Sequence, residues 1–87
     1  MRDEDLKSSE RGVRRNVALD VVARREDGSS HTVAITDISR DGCQLRTRTE
    51  FEVGETIVID HDVLGKLPAQ VRWMFGERAG LKFIRPL

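Results

Sequence analysis

The stretch HTVAITDISRDGCQLRT, residues 31–47, decides the fold because it holds two strand patterns around a single turn. Apolar and polar residues alternate on both sides of DISRDG, which is the period of a half-buried strand, and Cys43 and Leu45 share one face. As a turn, the stretch has a simple explanation. Asp37 can accept hydrogen bonds from backbone amides ahead of it, Ser39 can do so more weakly, and Gly42 can supply a positive φ.

The same two-residue period recurs along the rest of the chain. A first strand runs from Asn16, and Asp27-Gly28 after it predicts a hairpin with a type I′ turn. Further strand patterns follow at TIVID (56–60), LPAQVRWMF (67–75) and LKFI (81–84). A six-stranded sheet in so short a chain has no helix to cover its apolar face. We therefore predict an all-β fold, a closed six-stranded antiparallel β-barrel with no long C-terminal helix.

Length, charge and cysteine content restrict the class of protein. The chain has 87 residues, enough for one small domain, and we expect a flexible tail over residues 1–10 before a barrel over residues 11–87. Its 15 basic and 15 acidic residues cancel, so no overall field attracts DNA, RNA or an anionic membrane. There is no secretory signal pattern and no apolar run of about 20 residues. We expect a soluble, cytoplasmic monomer or weak dimer.

The sequence offers little for catalysis or metal binding. His31 and His61 lack the spacing of metal-binding pairs, and the serines lack a GxSxG context. The residues DHD at 60–62 are consecutive in a strand and so point to alternating faces. Cys43 lies on the apolar face, where a small core residue is expected. We expect a protein that is not an enzyme and has no catalytic residue, metal or cofactor.

Two features remain, the turn DISRDG and the segment RGVRR at residues 11–15. Arg11, Arg14 and Arg15 in a loop can direct several guanidinium groups at one ligand, each with five donors in a fixed fork. Taken alone, the segment is equally well explained as a solvated basic stretch. Trp73 also has two interpretations, and its alternation with Val71 favours a core or barrel-end position over a ligand contact.

The pair of features resembles the two-part signature of the PilZ domain family. Arg11 and Arg15 match its RxxxR motif, and Asp37, Ser39 and Gly42 match its DxSxxG motif. Later residues agree, since VRW (71–73) and AGLKF (79–83) resemble the last two strands of that family. The resemblance covers about residues 11–83.

The resemblance implies a β-barrel that binds the bacterial second messenger cyclic di-GMP and signals to an unidentified downstream protein. Arg11 and Arg15, with Arg14 beside them, would contact phosphates and guanine edges as the N-terminal loop wraps over the ligand. Asp37 and Ser39 would bond a guanine.

Gly42 would leave room for that guanine. An alternative is a degenerate member of the family, a protein-interaction adaptor that binds no nucleotide. A third reading, a small RNA-binding barrel, is weakened by the neutral net charge and the few aromatic residues.

Overall fold

The computed structural model describes residues 14–87, so Arg11 and the expected tail over residues 1–10 lie outside the described part. The described residues form six strands and no helix, which confirms the all-β prediction. In chain order the strands are β1 Arg15–Arg24, β2 Ser30–Ile38, β3 Gly42–Arg46, β4 Thr56–His61, β5 Gly65–Phe75 and β6 Arg78–Phe83. No segment of this range is a helix that could cross a bilayer.

The strands close into an antiparallel barrel in the order β1-β2-β3-β6-β5-β4. Four of the strand pairings join strands that are consecutive in sequence. The pairs β3–β6 and β1–β4 complete the ring. The predicted closed barrel is confirmed. Because β6 returns to lie beside β3, the last hairpin borders the DISRDG turn, and this contact positions the candidate site.

The core consists of the inward side chains of every strand. Ile35, Leu45, Ile57, Ile59 and Val71 are its largest fully buried members. The expected inward positions of Leu81, Phe83 and Cys43 are also confirmed, with exposed fractions of 5, 3 and 6%. Burial raises the pKa of the Cys43 thiol to about 12, with the nearby Asp37 carboxylate adding to the effect, so this cysteine behaves as a small apolar side chain.

The first hairpin forms at Asp27-Gly28, but its predicted turn type is wrong. A type I′ turn needs positive φ at both central residues, and among residues 14–87 no residue other than glycine has one. Gly28 alone has φ 91°, and its N–H donates to the Arg25 carbonyl at 3.0 Å. The reason is length: five residues separate Arg24 from Ser30, and loops of that length are usually built around a type I turn.

Bulges interrupt the strand ladders at positions that the alternation does not reveal. Register shifts occur between Ile35 and Asp37 in β2 and between Val71 and Trp73 in β5. Val71 is fully buried, yet Trp73 is 40% exposed because the extra residue changes which face the following side chains occupy. Of the two positions favoured for Trp73, core or barrel end, the core position is therefore wrong, and the indole lies against Gly80 on the outside of the barrel.

Candidate functional site

An open pocket of about 240 Å³ lies on the barrel surface where the β2–β3 turn meets the outer face of β5 and β6. Its lining combines the sequence-predicted turn residues with residues of the last hairpin. The lining residues are Arg14, Asp37, Ile38, Ser39, Asp41, Gly42, Cys43, Gln44, Arg72, Trp73, Gly80, Leu81 and Lys82.

Backbone and side-chain hydrogen bonds hold the turn between Ile38 and Gly42. The Ser39 N–H donates to the Gly42 carbonyl at 2.9 Å. Ser39 Oγ accepts the Asp41 N–H at 3.3 Å, which confirms the predicted turn-stabilising role of this hydroxyl. Ser39 is half-buried and lines the pocket. Backbone and hydroxyl bonds within the turn therefore hold Ser39 at the edge of the pocket.

Gly42 serves the fold in a different way from the one predicted. It does not have a positive φ, so the turn does not depend on a left-handed conformation there. Instead, Gly42 lies opposite Lys82 on β6, and a Cβ atom would overlap the Leu81 carbonyl oxygen and lie 3.2 Å from its carbonyl carbon. Only glycine permits this close approach of two backbones.

Asp37 has a buried side-chain oxygen at the pocket with unused hydrogen-bonding capacity. Its Oδ2 accepts a hydrogen bond from Arg14 Nη1 at 3.2 Å, and the Asp37 side chain is 16% exposed. Its Oδ1 is buried and has no hydrogen-bond partner among residues 14–87. A buried carboxylate oxygen left in this state costs stability, so the pocket is suited to a donor that supplies the missing bond.

The expected bonds from Asp37 to backbone amides of the turn do not form. Asp37 lies within the strand ladder, opposite Asn16 on β1 and Gln44 on β3. The amide two residues ahead, that of Ser39, is already donated to the Gly42 carbonyl. The Asp37 carboxylate is therefore left to the pocket.

The structure brings one of the three candidate arginines to the pocket. Arg14 lines it and reaches Asp37, although 66% of the Arg14 side chain is exposed. Arg15 begins β1 opposite Ile38 and is exposed, but it does not line the pocket. Arg11 lies outside the described residues. Arg14 and Arg15 thus lie at the end of the barrel where the DISRDG turn lies.

The far wall of the pocket comes from residues that sequence reasoning did not assign to the site. Trp73 lies opposite Gly80 on β6, and a Cβ atom on that glycine would lie 2.7 Å from Trp73 Cδ1, so the indole covers the bare backbone of Gly80. Arg72 and Lys82 flank it. The signal was present in VRW and AGLKF, which matched the family as strands, but only the β3–β6 contact shows that their outer faces reach the turn.

The charges around the pocket favour an anion. Arg14, Arg72 and Lys82 line it against Asp37 and Asp41. Within residues 14–87, neither Arg72 nor Lys82 has a carboxylate oxygen within 4.0 Å. An aromatic face with unpaired cations beside it suits a ligand that carries both a flat ring and negative charge.

A second polar cluster, at the first hairpin, superficially resembles a hydrolytic triad. Ser29 Oγ donates to Asp27 Oδ1 at 2.6 Å and lies 3.0 Å from His31 Nε2. Because the hydroxyl proton is directed at the carboxylate, the imidazole is not placed to remove it, and the order of the groups differs from that of a nucleophile, a base and an orienting acid. These hydrogen bonds stabilise the β1–β2 hairpin.

The DHD segment ends β4: Asp60 and His61 are its last strand residues, and Asp62 begins the turn that follows. His61 Nδ1 accepts the N–H groups of Val63 and Leu64 at 3.0 and 3.1 Å, which caps the β4–β5 connection. Asp60 instead contacts Arg24 and Lys66 through Oδ2. Across residues 14–87, no three histidine, cysteine or acidic side chains converge as a metal site would require.

Comparison with protein families identifies a match over most of the chain. The model of the PilZ domain matches residues 6–87, nearly the whole chain. No curated protein matches the sequence.

Proposed function

Because the chain belongs to the PilZ domain family, a family of cyclic di-GMP receptor domains, we propose that it binds cyclic di-GMP in the pocket beside Asp37. Domains of this family are binding domains rather than enzymes. The function proposed is accordingly recognition of the second messenger, followed by signalling to a partner protein.

The observation that carries the proposal is the unpartnered Oδ1 of Asp37. The Watson–Crick edge of guanine offers two adjacent donors, N1–H and N2–H, which match the two oxygens of a carboxylate. Because Oδ1 is buried in the ligand-free protein, a guanine would reach it after neighbouring side chains shift, and would then supply the hydrogen bond that Oδ1 lacks. Adenine presents an acceptor at N1 on the same edge, so this contact also favours guanine over adenine.

Arg14 has a compatible role on the other oxygen. A carboxylate oxygen accepts more than one hydrogen bond, so Arg14 can keep its contact with Oδ2 while guanine binds. Its guanidinium then orients the Asp37 carboxylate and adds positive charge near the ligand. Arg15 and Arg11 would contact the phosphates as the N-terminal loop closes over the ligand, as the family resemblance implies.

The remaining pocket residues fit the other parts of a cyclic dinucleotide. The Ser39 hydroxyl lies on the rim where it can bond the same guanine. The exposed part of Trp73 offers a stacking surface, and Arg72 and Lys82 beside it can neutralise phosphate charge. Gly42 keeps β3 close to β6, which places these residues within one pocket.

Isothermal titration calorimetry with cyclic di-GMP tests the proposal through Asp37→Asn. The substitution keeps the size of the side chain and replaces one acceptor oxygen by a donor amide. Charge-assisted hydrogen bonds are worth about 1.5–3 kcal/mol each, so we expect binding to weaken roughly 10- to 100-fold. Arg15→Ala should weaken binding by roughly tenfold or more for the loss of one phosphate contact.

The matched control is Asp62→Asn, which removes the same charge from an exposed turn outside the pocket. It should bind as the unmodified protein does. If Asp37→Asn and Asp62→Asn bind alike, the pocket assignment is wrong. If the unmodified chain releases no heat at several hundred micromolar ligand, the adaptor alternative takes precedence.

A further inference from the structure

The outer face of β3, β6 and β5 continues beyond the pocket into a second row of residues. Register places Arg46 opposite Arg78 across the β3–β6 ladder, and Arg78 opposite Phe75 across β6–β5. All three side chains are exposed, Phe75 to 81%. We call Arg46, Arg78 and Phe75 the arginine row. Arg78 lies two residues before Gly80 on β6 and is therefore nearer the β5–β6 turn. None of the three residues lines the pocket.

The arginine row is unfavourable for the isolated barrel. Like charges directly opposite each other on adjacent strands destabilise a sheet. Within the described range, neither Arg46 nor Arg78 has a carboxylate oxygen within 4.0 Å. Among the described side chains, Arg78 Nη2 donates to a neutral acceptor outside the row, Gln44 Oε1, at 3.2 Å. The adjacent phenyl ring of Phe75 is also left in water, so the row combines two uncompensated features.

We propose that the arginine row docks an acidic segment of a partner protein, with carboxylates between Arg46 and Arg78 and an apolar side chain on Phe75. Bidentate pairing of guanidinium with carboxylate is the strongest contact that such a pair offers. The barrel is closed, so β3 and β6 have no free edge, and the partner contacts side chains rather than adding a strand.

The neighbouring charges favour a protein over a nucleic acid. Arg46 also lines a second surface pocket of about 390 Å³, together with Arg48, Asp20 and Glu77. The two acidic groups would repel a continuous phosphate chain along this surface. Separate carboxylates on a protein segment can reach the arginines and avoid those positions. The three residues of the row lie outside the pocket, although Arg78 bonds Gln44 at the pocket edge, so peptide docking is measured without nucleotide.

The test uses the full chain and a fluorescein-labelled peptide in which single glutamates, separated by serines, flank a central pair of leucines. Fluorescence anisotropy should show binding that weakens as salt is raised, with amide shifts centred on residues 45–48 and 75–79, which do not line the nucleotide pocket. The double variant Arg46→Gln with Arg78→Gln should bind about tenfold or more weakly. Its melting temperature should equal or exceed that of the unmodified chain, because the like-charge contact is gone.

The matched control is Arg40→Gln with Arg85→Gln, which removes two exposed arginines outside the row and gives the same net charge. It should retain peptide binding. If the two double variants lose peptide affinity equally, the binding is a non-specific attraction to positive charge and the proposal is overturned. Absence of peptide binding, or tighter binding of an oligouridylate of equal charge at the same residues, would also overturn it.

Discussion

Replacing Gly42 with alanine separates two explanations for this glycine. The family resemblance implies that it makes room for a guanine, whereas the structure shows that it permits contact between β3 and β6. A Cβ atom would overlap the Leu81 carbonyl oxygen, and the other close atoms are the Leu81 carbonyl carbon and Lys82 Cα, both at 3.2 Å. All of these are backbone atoms, so no side chain can rotate to relieve the overlap.

The cost follows from what must move. Forcing an extra carbon into packed structure costs typically about 1–3 kcal/mol. Shifting β3 from β6 also weakens ladder hydrogen bonds near Gly42, each worth about 1 kcal/mol. We expect a loss of roughly 2–4 kcal/mol, a large share of the roughly 4–13 kcal/mol available to a domain of this size. The melting temperature should fall by roughly 10–25 °C.

Urea unfolding of the ligand-free protein measures this, with circular dichroism and the fluorescence of the single tryptophan as probes. The control is Gly76→Ala, at φ 59° with no atom within 4 Å of the added carbon. It should cost only about 1 kcal/mol for the left-handed backbone. If Gly42→Ala unfolds at the same urea concentration as the unmodified chain and loses only ligand affinity, the packing argument is refuted.

Three further predictions concern the pocket wall, the first hairpin and the core. Gly80→Ala should push the Trp73 indole off the barrel, because the new carbon overlaps it, and should move the fluorescence emission to longer wavelength; unchanged emission would contradict the packing described. Hydrogen bonds from the hydroxyl and the backbone N–H of Ser29, with the Ser29 hydroxyl the larger cause, lower the pKa of Asp27 below its usual 3.8. The stability that Asp27 contributes is therefore fully present above pH 3.8, the pKa of Asp27 in the unfolded chain. It is lost as the pH falls through the lowered pKa of the folded state. Asp27→Asn should show a smaller decline in unfolding free energy between pH 5 and pH 3 than the unmodified chain, in urea titrations at each pH. Cys43, with its pKa raised to about 12, should react with a thiol reagent at pH 8 only as fast as the barrel unfolds; rapid reaction of the native protein would mean that the thiol is accessible.

The alternation of apolar residues was sufficient to predict the barrel, because each strand buries one face. It predicted the inward positions of Cys43, Leu45, Leu81 and Phe83 correctly. It failed at Trp73, since a bulge adds one residue without leaving a mark in the pattern. Sequence periodicity therefore predicts which side chains of a regular strand face inward. After a bulge it does not, because the face changes without a change in the pattern.

The candidate site was predicted only on its turn side. Asp37 and Ser39 were recognised through a local motif, but the free Oδ1 depends on which backbone donors are already used. Arg72 and Lys82 are more than 30 residues from Ser39 in sequence, and they reach the pocket because β6 closes the ring beside β3. Long-range strand order is the property that a single sequence does not display.

The most direct test of the central claim is the amide NMR spectrum of the chain titrated with cyclic di-GMP. If Asp37 and the wall around Trp73 form the nucleotide site, shifts should be confined to residues 14–16, 37–44, 72–74 and 80–82. The β4–β5 turn, including the amides of Val63 and Leu64 that bond His61, should be unaffected. An unaltered spectrum at several hundred micromolar ligand, or shifts centred on β4, would contradict the account.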